Sequence, residues 1–252
     1  MSSRRWLSAN SRIYALAHIV LFLVGYLMVR SDGRAVQNIG ASLMAAAIAG
    51  WVVFLYVLRS ESTARQLEIL NEFGFVSAFE GRAARIKPEY DGRLQGARRH
   101  IDVMGFGLRA LWDDYRTDFA QWKERADVRI LLMDPDSPYA EKRDREENDL
   151  PGSIRGGVQR FIRDTASLRR SPGKHGFQIR LYTCLPSINI FRVDDELFWG
   201  PYLVKEQSRN APTIIVRSGG ILFGRLTQHF DKIWNDNNLS RPIRDADAGV
   251  ED

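Results

Sequence analysis

Two stretches of this 252-residue chain carry no formal charge: 17 residues from Ile13 to Val29 (IYALAHIVLFLVGYLMV) and 19 from Gly40 to Leu58 (GASLMAAAIAGWVVFLYVL). At about 1.5 Å per helical residue they reach roughly 25 and 28 Å, close to the hydrocarbon core thickness of about 30 Å. A core helix of a soluble protein keeps polar residues on an outer face, and neither stretch does so. The sequence therefore predicts two N-terminal transmembrane helices over residues 1–58. His18 is the one ionisable group within them and reads as a neutral histidine near a helix start, with no carboxylate beside it for a proton relay.

No small-x-small cleavage site follows Val29, where the chain continues RSDGR, so the first stretch reads as a retained anchor. Arg4, Arg5 and Arg12 precede it, Arg59 and Arg65 follow the second stretch, and the loop from Arg30 to Ile39 holds two arginines and one aspartate. The positive-inside rule places both termini in the cytoplasm, in a two-pass protein of the inner (cytoplasmic) membrane, with membrane lipid as a partner. Two lines of small residues, Ser42/Ala46/Gly50 and Ala41/Ala45/Ala49, allow a second helix to approach closely. Packing into a hairpin is the preferred reading of these lines, and association between protomers the other; a homo-oligomer is expected.

A net charge of +5 and a pI near 9.5 suggest nucleic acid at first sight. Residues 1–12 carry +3 and residues 13–58 carry +1, leaving 31 basic against 30 acidic side chains from residue 59 onward. The basic balance is mostly topological, and nucleic acid becomes an unlikely partner. The single Cys184 excludes an internal disulfide and a thiolate metal cluster, and no Walker-type or G-x-G-x-x-G loop is present. No cofactor or metal is expected.

Beyond Leu58 the pattern continues as a helical connector over 59–100, with Glu61 and Arg65 at i,i+4 spacing and no Gly or Pro before Gly74. Short apolar runs then alternate with helical periodicity. Strands are predicted at 101–107, 128–134, 177–183, 188–193, 196–204 and 212–216, and helices at 108–126, 154–168 and 220–235. This order makes an α/β domain on a mixed sheet over 101–236, followed by a frayed tail at 237–252.

The segment SINIFRVDDELFWGPY places Ser187, Asn189, Asp194 and Gly200 in a spacing that resembles the H-x-K-x-x-x-x-D…G motif of the phospholipase D-like superfamily. The resemblance spans residues 101–236 and implies one half-domain of that fold, with serine in the histidine position and asparagine in the lysine position. Family members that cleave phosphodiesters use the histidine as nucleophile and the lysine to hold phosphate. Ser187 has no base at matching spacing, and Asn189 has no charge to offer a phosphoryl oxygen. The resemblance thus implies a degenerate, binding half-domain, and no catalytic residue is assigned.

Strand ends of an α/β sheet are where ligands sit, which adds Asp134, after a buried strand, and Tyr202 to the candidate ligand-binding residues. Asp134 also has a simpler reading, in which Asp136 or Ser137 caps a following helix. Arg180 and Tyr182 alternate on the strand before the motif and would face one side of the sheet. Residues 155–180 hold seven basic side chains against the single acid Asp164, while 134–149 hold seven acids against three bases. Arg155, Arg160, Arg163, Arg169 and Arg170 therefore form a candidate basic patch for a phosphate-bearing small molecule, unless the two segments neutralise each other. The expectation is a membrane-anchored sensor or effector that binds such a ligand or a protein partner, a layout shared at the level of architecture with bacterial defence effectors. A membrane-tethered phosphodiesterase or nuclease acting as a dimer, and an assembly scaffold, are the alternatives.

Overall fold

The computed structural model describes residues 3–81, 86–185 and 187–248, with side chains from residue 13 onward apart from those of residues 58, 61, 62, 245 and 246. The side chains of Arg4, Arg5 and Arg12, which carry much of the orientation argument, lie outside the described residues. The chain divides into two compact units, Met1–Ile69 and Leu70–Asp252.

The first unit is a helical hairpin. Helices α1 (Ser3–Val29) and α2 (Arg34–Glu72) are antiparallel about the turn between them. Tyr14 stacks on Phe54 with ring centroids 5.0 Å apart, and the Nε2–Cδ2 edge of His18 packs against Gly50 while its Nδ1 donates to the Tyr14 carbonyl at 2.9 Å. Near the turn a Cβ on Gly25 would fall 2.8 Å from the Gly40 carbonyl oxygen, so the two backbones touch. This contact sets the rotation of α2 and turns Gly40, Ala47 and Gly50 inward. Ala41, Ala45, Ala49, Ser42 and Ala46 are consequently exposed, so of the expected small-residue lines only Gly50 meets α1. Within α2 the stretch Arg34–Val57 is long and apolar enough to cross a membrane, with mean hydropathy 1.9; the apolar run Ile13–Val29 of α1 is shorter.

The second unit is built on one mixed eight-stranded sheet. Its strands are β1 (Phe75–Phe79), β2 (His100–Gly105), β3 (Asp127–Met133), β4 (Phe177–Tyr182), β5 (Ile188–Val193), β6 (Glu196–Pro201), β7 (Thr213–Arg217) and β8 (Ser240–Pro242). They lie in the order β1-β7-β6-β5-β2-β3-β4-β8; β2, β3 and β4 are parallel and every other pair is antiparallel. The connections carry α3 (Lys87–Gly96), α4 (Arg109–Tyr115), α5 (Phe119–Arg125), α6 (Pro138–Glu146), α7 (Ser153–Asp164), α8 (Ala166–Arg170) and α9 (Ile221–Asn235). Because strand side chains alternate, Val103, Ile130, Ile179 and Phe191 share one face of the sheet. There Tyr90 of α3, Phe119 and Trp122 of α5 and Phe161 of α7 build an aromatic core.

The opposite face meets α9 and carries charge. Asp102, Arg129 and Arg192 stand side by side on β2, β3 and β5. Asp102 is 1% exposed and accepts from Arg129 Nε at 2.7 Å and NH2 at 3.0 Å, and from Arg192 NH1 at 3.1 Å. Arg129 also pairs with Asp231 of α9 at 3.0 Å. The two guanidinium groups are covered by the rings of Phe230 and Trp234 over Arg129 and Phe223 over Arg192, which satisfies their faces as well as their N–H groups.

The connector and the tail differ from the sequence expectation. Residues 75–79 form the edge strand β1 on β7, so the helical connector ends at Glu72 and the sheet unit begins well before residue 101. Residues 240–242 form the other edge strand, β8, followed by a 3₁₀ turn at Asp245–Ala248, within the segment expected to be a frayed tail. Both are short edge strands, one ending in proline, and such segments carry little hydrophobic periodicity. The helix expected over 108–126 breaks at Arg116–Asp118 without any Gly or Pro, into two shorter helices that both bury aromatic rings, with Tyr115 of the first packed on Trp122 of the second.

Candidate functional site

The carboxyl ends of β2, β3 and β4, the start of β5 and the end of β6 lie along one edge of the sheet. Five of the seven expected ligand residues gather there: Asp134, Tyr182, Ser187, Asn189 and Tyr202. Ser187 is exposed, and its carbonyl accepts from the Tyr202 N–H at 3.1 Å. Asn189 is buried and spends its Nδ2 on the Gly200 carbonyl at 2.9 Å; Gly200 lies directly across the ladder, where a Cβ would fall 2.4 Å from the Pro212 carbonyl oxygen. The motif pair Asn189/Gly200 is thus a packing unit. Tyr202 packs edge-on against Phe106, with the Arg143 guanidinium 5.2 Å from its ring. Arg143 fixes that loop by donating to the carbonyls of Leu203 at 2.8 Å and Glu206 at 2.9 Å. Tyr182 is fully buried, its hydroxyl has no partner among the described residues, and burial holds its pKa well above the usual tyrosine range.

Arg180 and Asp194 do not join this group. Arg180 lies within β4 and clamps the start of β8, donating to Ser240 Oγ at 2.9 Å, the Ser240 carbonyl at 2.7 Å and Asn237 Oδ1 at 2.8 Å. Asp194 sits in the β5–β6 turn at the opposite edge of the sheet, in a left-handed conformation with φ of 48° that aspartate tolerates. Its carboxylate accepts the backbone N–H groups of Arg98, Arg99 and His100 at 2.8–2.9 Å, pinning the start of β2. Burial alone would raise its pKa, but these three donors outweigh burial and hold it below the usual carboxylate range. The stabilisation is therefore complete above the unfolded-state pKa of about 3.9 and is lost as pH falls through the lower folded value. Asp194→Ala is expected to cost about 2 kcal/mol at neutral pH and to flatten the acid limb of the stability curve, read from urea unfolding between pH 7 and pH 2.5.

The arginines converge on the end of β3. Asp134 Oδ1 accepts the Asp136 N–H at 3.0 Å, and Ser137 caps α6 by accepting from the Tyr139 N–H. Asp134 Oδ2 accepts from Arg241 Nε at 2.6 Å, and the same guanidinium forks onto Asp247 through NH1 at 2.7 Å and NH2 at 2.8 Å. Asp247 also accepts the Arg244 N–H at 2.6 Å. Burial opposes its ionisation, but Arg241 and the Arg244 N–H hold its pKa low; Asp247 in turn is the largest influence raising that of Arg241. Arg155 approaches Asp136 at 3.5 Å, and Arg163 reaches the Ala248 carbonyl at 3.4 Å.

Of the expected basic patch, Arg155 and Arg163 of α7 border this cluster. Arg160 and Arg163 both contact Asp164, at 3.8 and 3.6 Å, so α7 is only partly neutralised by its own acid. Arg169 donates to the Ile162 carbonyl at 3.0 Å at the end of α7, and Arg170 is exposed on α8. Sequence reasoning missed Arg241, Arg244 and Asp247 because they lie in the segment taken for a tail. The available signal was the RPIRDAD spacing, which puts two arginines within six residues of an aspartate.

The histidines of this unit are elsewhere. His100 opens β2 and His175 precedes β4, both at the edge opposite Ser187, while His229 is on α9 across the sheet, its pKa lowered by burial and by Lys232. About seven strand residues, roughly 23 Å, separate His100 from the level of Ser187. Among the described residues no group of three His, Cys, Asp or Glu side chains is placed to hold a metal ion.

A family model described as a domain of unknown function (DUF5919) matches residues 75–238, from β1 past the end of α9. The chain belongs to this family. The DUF5919 match therefore covers seven of the eight strands and starts at the edge strand rather than at residue 101. No curated protein matches the chain. Solved structures similar to it include TrmBL2, an archaeal chromatin protein described as showing a novel mode of DNA binding, at 14% identity and TM-score 0.43 over 81% of this chain and 70% of that one. Phosphatidylserine synthase from Haemophilus influenzae Rd KW20 is similar at 11% identity and TM-score 0.43, over 66% of this chain and 38% of that one. Likenesses of this size decide neither fold family nor activity.

Proposed function

We propose that this protein is a membrane-anchored sensor or effector whose DUF5919 domain is a non-hydrolytic, phospholipase D-like half-domain that holds a phosphate-bearing ligand. The observation that carries the reading is the state of the motif positions. Ser187 has no histidine on its edge of the sheet, and Asn189 is buried and bonded to Gly200. Such a site can accept a ligand but has no activated nucleophile. Phosphate is the favoured chemistry because Arg155, Arg160 and Arg163 line one helix beside the cluster at the end of β3, and arginine forks match phosphate oxygens.

The anchor is the two-span hairpin, with both termini in the cytoplasm. Apolar side chains such as Leu16, Leu27, Val52, Leu55 and Tyr56 point outward from α1 and α2, and only 11% of the apolar window in α2 is buried. Hydrocarbon would remove that surface from water without a protein partner.

The test uses the full-length chain in neutral phosphatidylcholine nanodiscs. Bis(p-nitrophenyl) phosphate is expected to remain uncleaved, and pyrophosphate to bind with an affinity that falls about tenfold in the Arg155→Ala/Arg160→Ala variant, the loss of two charge-assisted contacts. Turnover that disappears in Ser187→Ala would replace this reading with a hydrolase.

A further inference from the structure

The carboxylate of Asp247 is held as a bound anion is held. Its side chain is 3% exposed, and it receives both ends of the Arg241 fork and the backbone N–H of Arg244, with Arg244 NH2 3.5 Å away. A third arginine, Arg163 of α7, reaches the next residue's carbonyl oxygen. Two guanidinium groups and a backbone N–H converging on two oxygens form the donor set that a phosphoryl group takes. The cradle is anchored from behind, since Arg241 Nε is fixed by Asp134 at the end of β3.

The element that fills the cradle is weakly built. It is a single 3₁₀ turn, Asp245–Ala248, beyond the last strand and packed on α7. A turn of this type has little stability of its own and depends on what holds it. With Asp247 withdrawn, Arg241 would keep only Asp134 and Arg163 only Asp164, leaving Arg244 as a surplus positive charge at the sheet edge where ligands of this architecture sit.

We infer that Arg241, Arg244 and Arg163 form an oxyanion site for a phosphoryl group, and that Asp247 occupies this site in the resting chain as an internal competitor. The inference rests on the phosphate-binding reading above and assigns it a place and a gate. Binding releases the turn: the phosphoryl oxygens take over the Arg241 fork and the Arg244 N–H, and Asp247 moves into solvent as a carboxylate. No covalent bond changes. A tethered carboxylate competes at an effective concentration in the millimolar range, so removing its charge is expected to tighten pyrophosphate binding about tenfold or more.

The experiment compares the full-length chain with its Asp247→Asn and Asp247→Asn/Arg244→Gln variants in neutral nanodiscs, titrated with pyrophosphate. Tightening in Asp247→Asn that is lost when Arg244→Gln is added is the expected result. Hydrogen exchange on the wild-type chain provides a second readout that does not depend on any variant folding. The Asp247 N–H, which donates to the Arg244 carbonyl at 3.0 Å, is expected to lose protection as pyrophosphate saturates. A parallel arm replaces pyrophosphate with phosphatidate in the nanodisc. Lost protection with pyrophosphate identifies a soluble ligand, and lost protection with phosphatidate alone identifies a lipid headgroup; either supports the site. Unchanged protection in both arms overturns it. If pyrophosphate still binds in a manner sensitive to Arg155→Ala/Arg160→Ala, the gate fails while the phosphate-binding reading stands.

Discussion

Asp102→Ala is expected to lower the stability of the sheet unit by about 3–5 kcal/mol, because it removes the carboxylate bonded to both Arg129 and Arg192 and leaves two guanidinium groups short of partners beneath α9. The gain from that carboxylate is not its attraction alone, since burying three charges is itself costly. What makes it indispensable is the asymmetry between a satisfied network and a broken one. Arg129 would keep Asp231 and Arg192 would keep the Asp194 carbonyl, so the fold should survive with reduced stability. Asp102→Asn retains shape and one acceptor and should cost less, about 2 kcal/mol. Replacing all three residues with leucine or methionine of similar volume should recover most of the loss. Urea unfolding of the full-length chain in detergent, followed by tryptophan fluorescence, measures each variant. A loss below about 1 kcal/mol for Asp102→Ala would mean that the row is solvated and unimportant.

The second large effect is expected at Gly74, where the chain enters the sheet unit's first strand. Gly74 has φ of 75° and lies against Gly220 at the end of the β7–α9 turn. A Cβ on Gly220 would fall 2.3 Å from the Gly74 Cα, 2.5 Å from its nitrogen and 2.7 Å from the Phe73 carbonyl oxygen. All three are backbone atoms and cannot turn aside as a side chain can. Gly220→Ala should therefore cost about 3 kcal/mol and open the two bonds made there, Leu222 N–H to the Phe73 carbonyl and Arg217 N–H to the Gly74 carbonyl. Hydrogen exchange at Leu222 and Arg217 reads the opening directly. Gly224→Ala, one turn further along α9 with nothing within 4 Å, is the control and should stabilise the helix by about 0.5–1 kcal/mol. Equal behaviour of the two variants would remove the junction from consideration.

Much of the central sheet was legible because β2 through β7 are short apolar runs bounded by turn residues, and local pattern is sufficient for such strands. The edges were not legible, since β1 and β8 owe their conformation to pairing with β7 and β4 rather than to their own sequence. The same limit hid the charged row. Asp102, Arg129 and Arg192 are far apart in the chain, and only the register of β2, β3 and β5 brings them together. The placement of Asp194 could have been anticipated. Five extended residue steps lead from Asn189 to it, about 17 Å, so the two cannot flank one ligand once the intervening segment is a strand. Asp134 does lie directly after a buried strand, as its sequence position indicates, but its partner Arg241 lies in a segment whose composition reads as a tail.

The junction at Gly74 has a bearing on the far end of the domain. Helix α9 makes the bond to Phe73 through its second residue, Leu222, and ends shortly before β8, whose Arg241 holds Asp247. Its 15 residues amount to about 22 Å of stiff rod that touches β7 near one edge of the sheet and β8 at the other. A rod of fixed length cannot absorb a displacement at one end. A shift of β8 would therefore either slide α9 over the charged row or be resisted there by the bonds from Arg129 to Asp102 and Asp231.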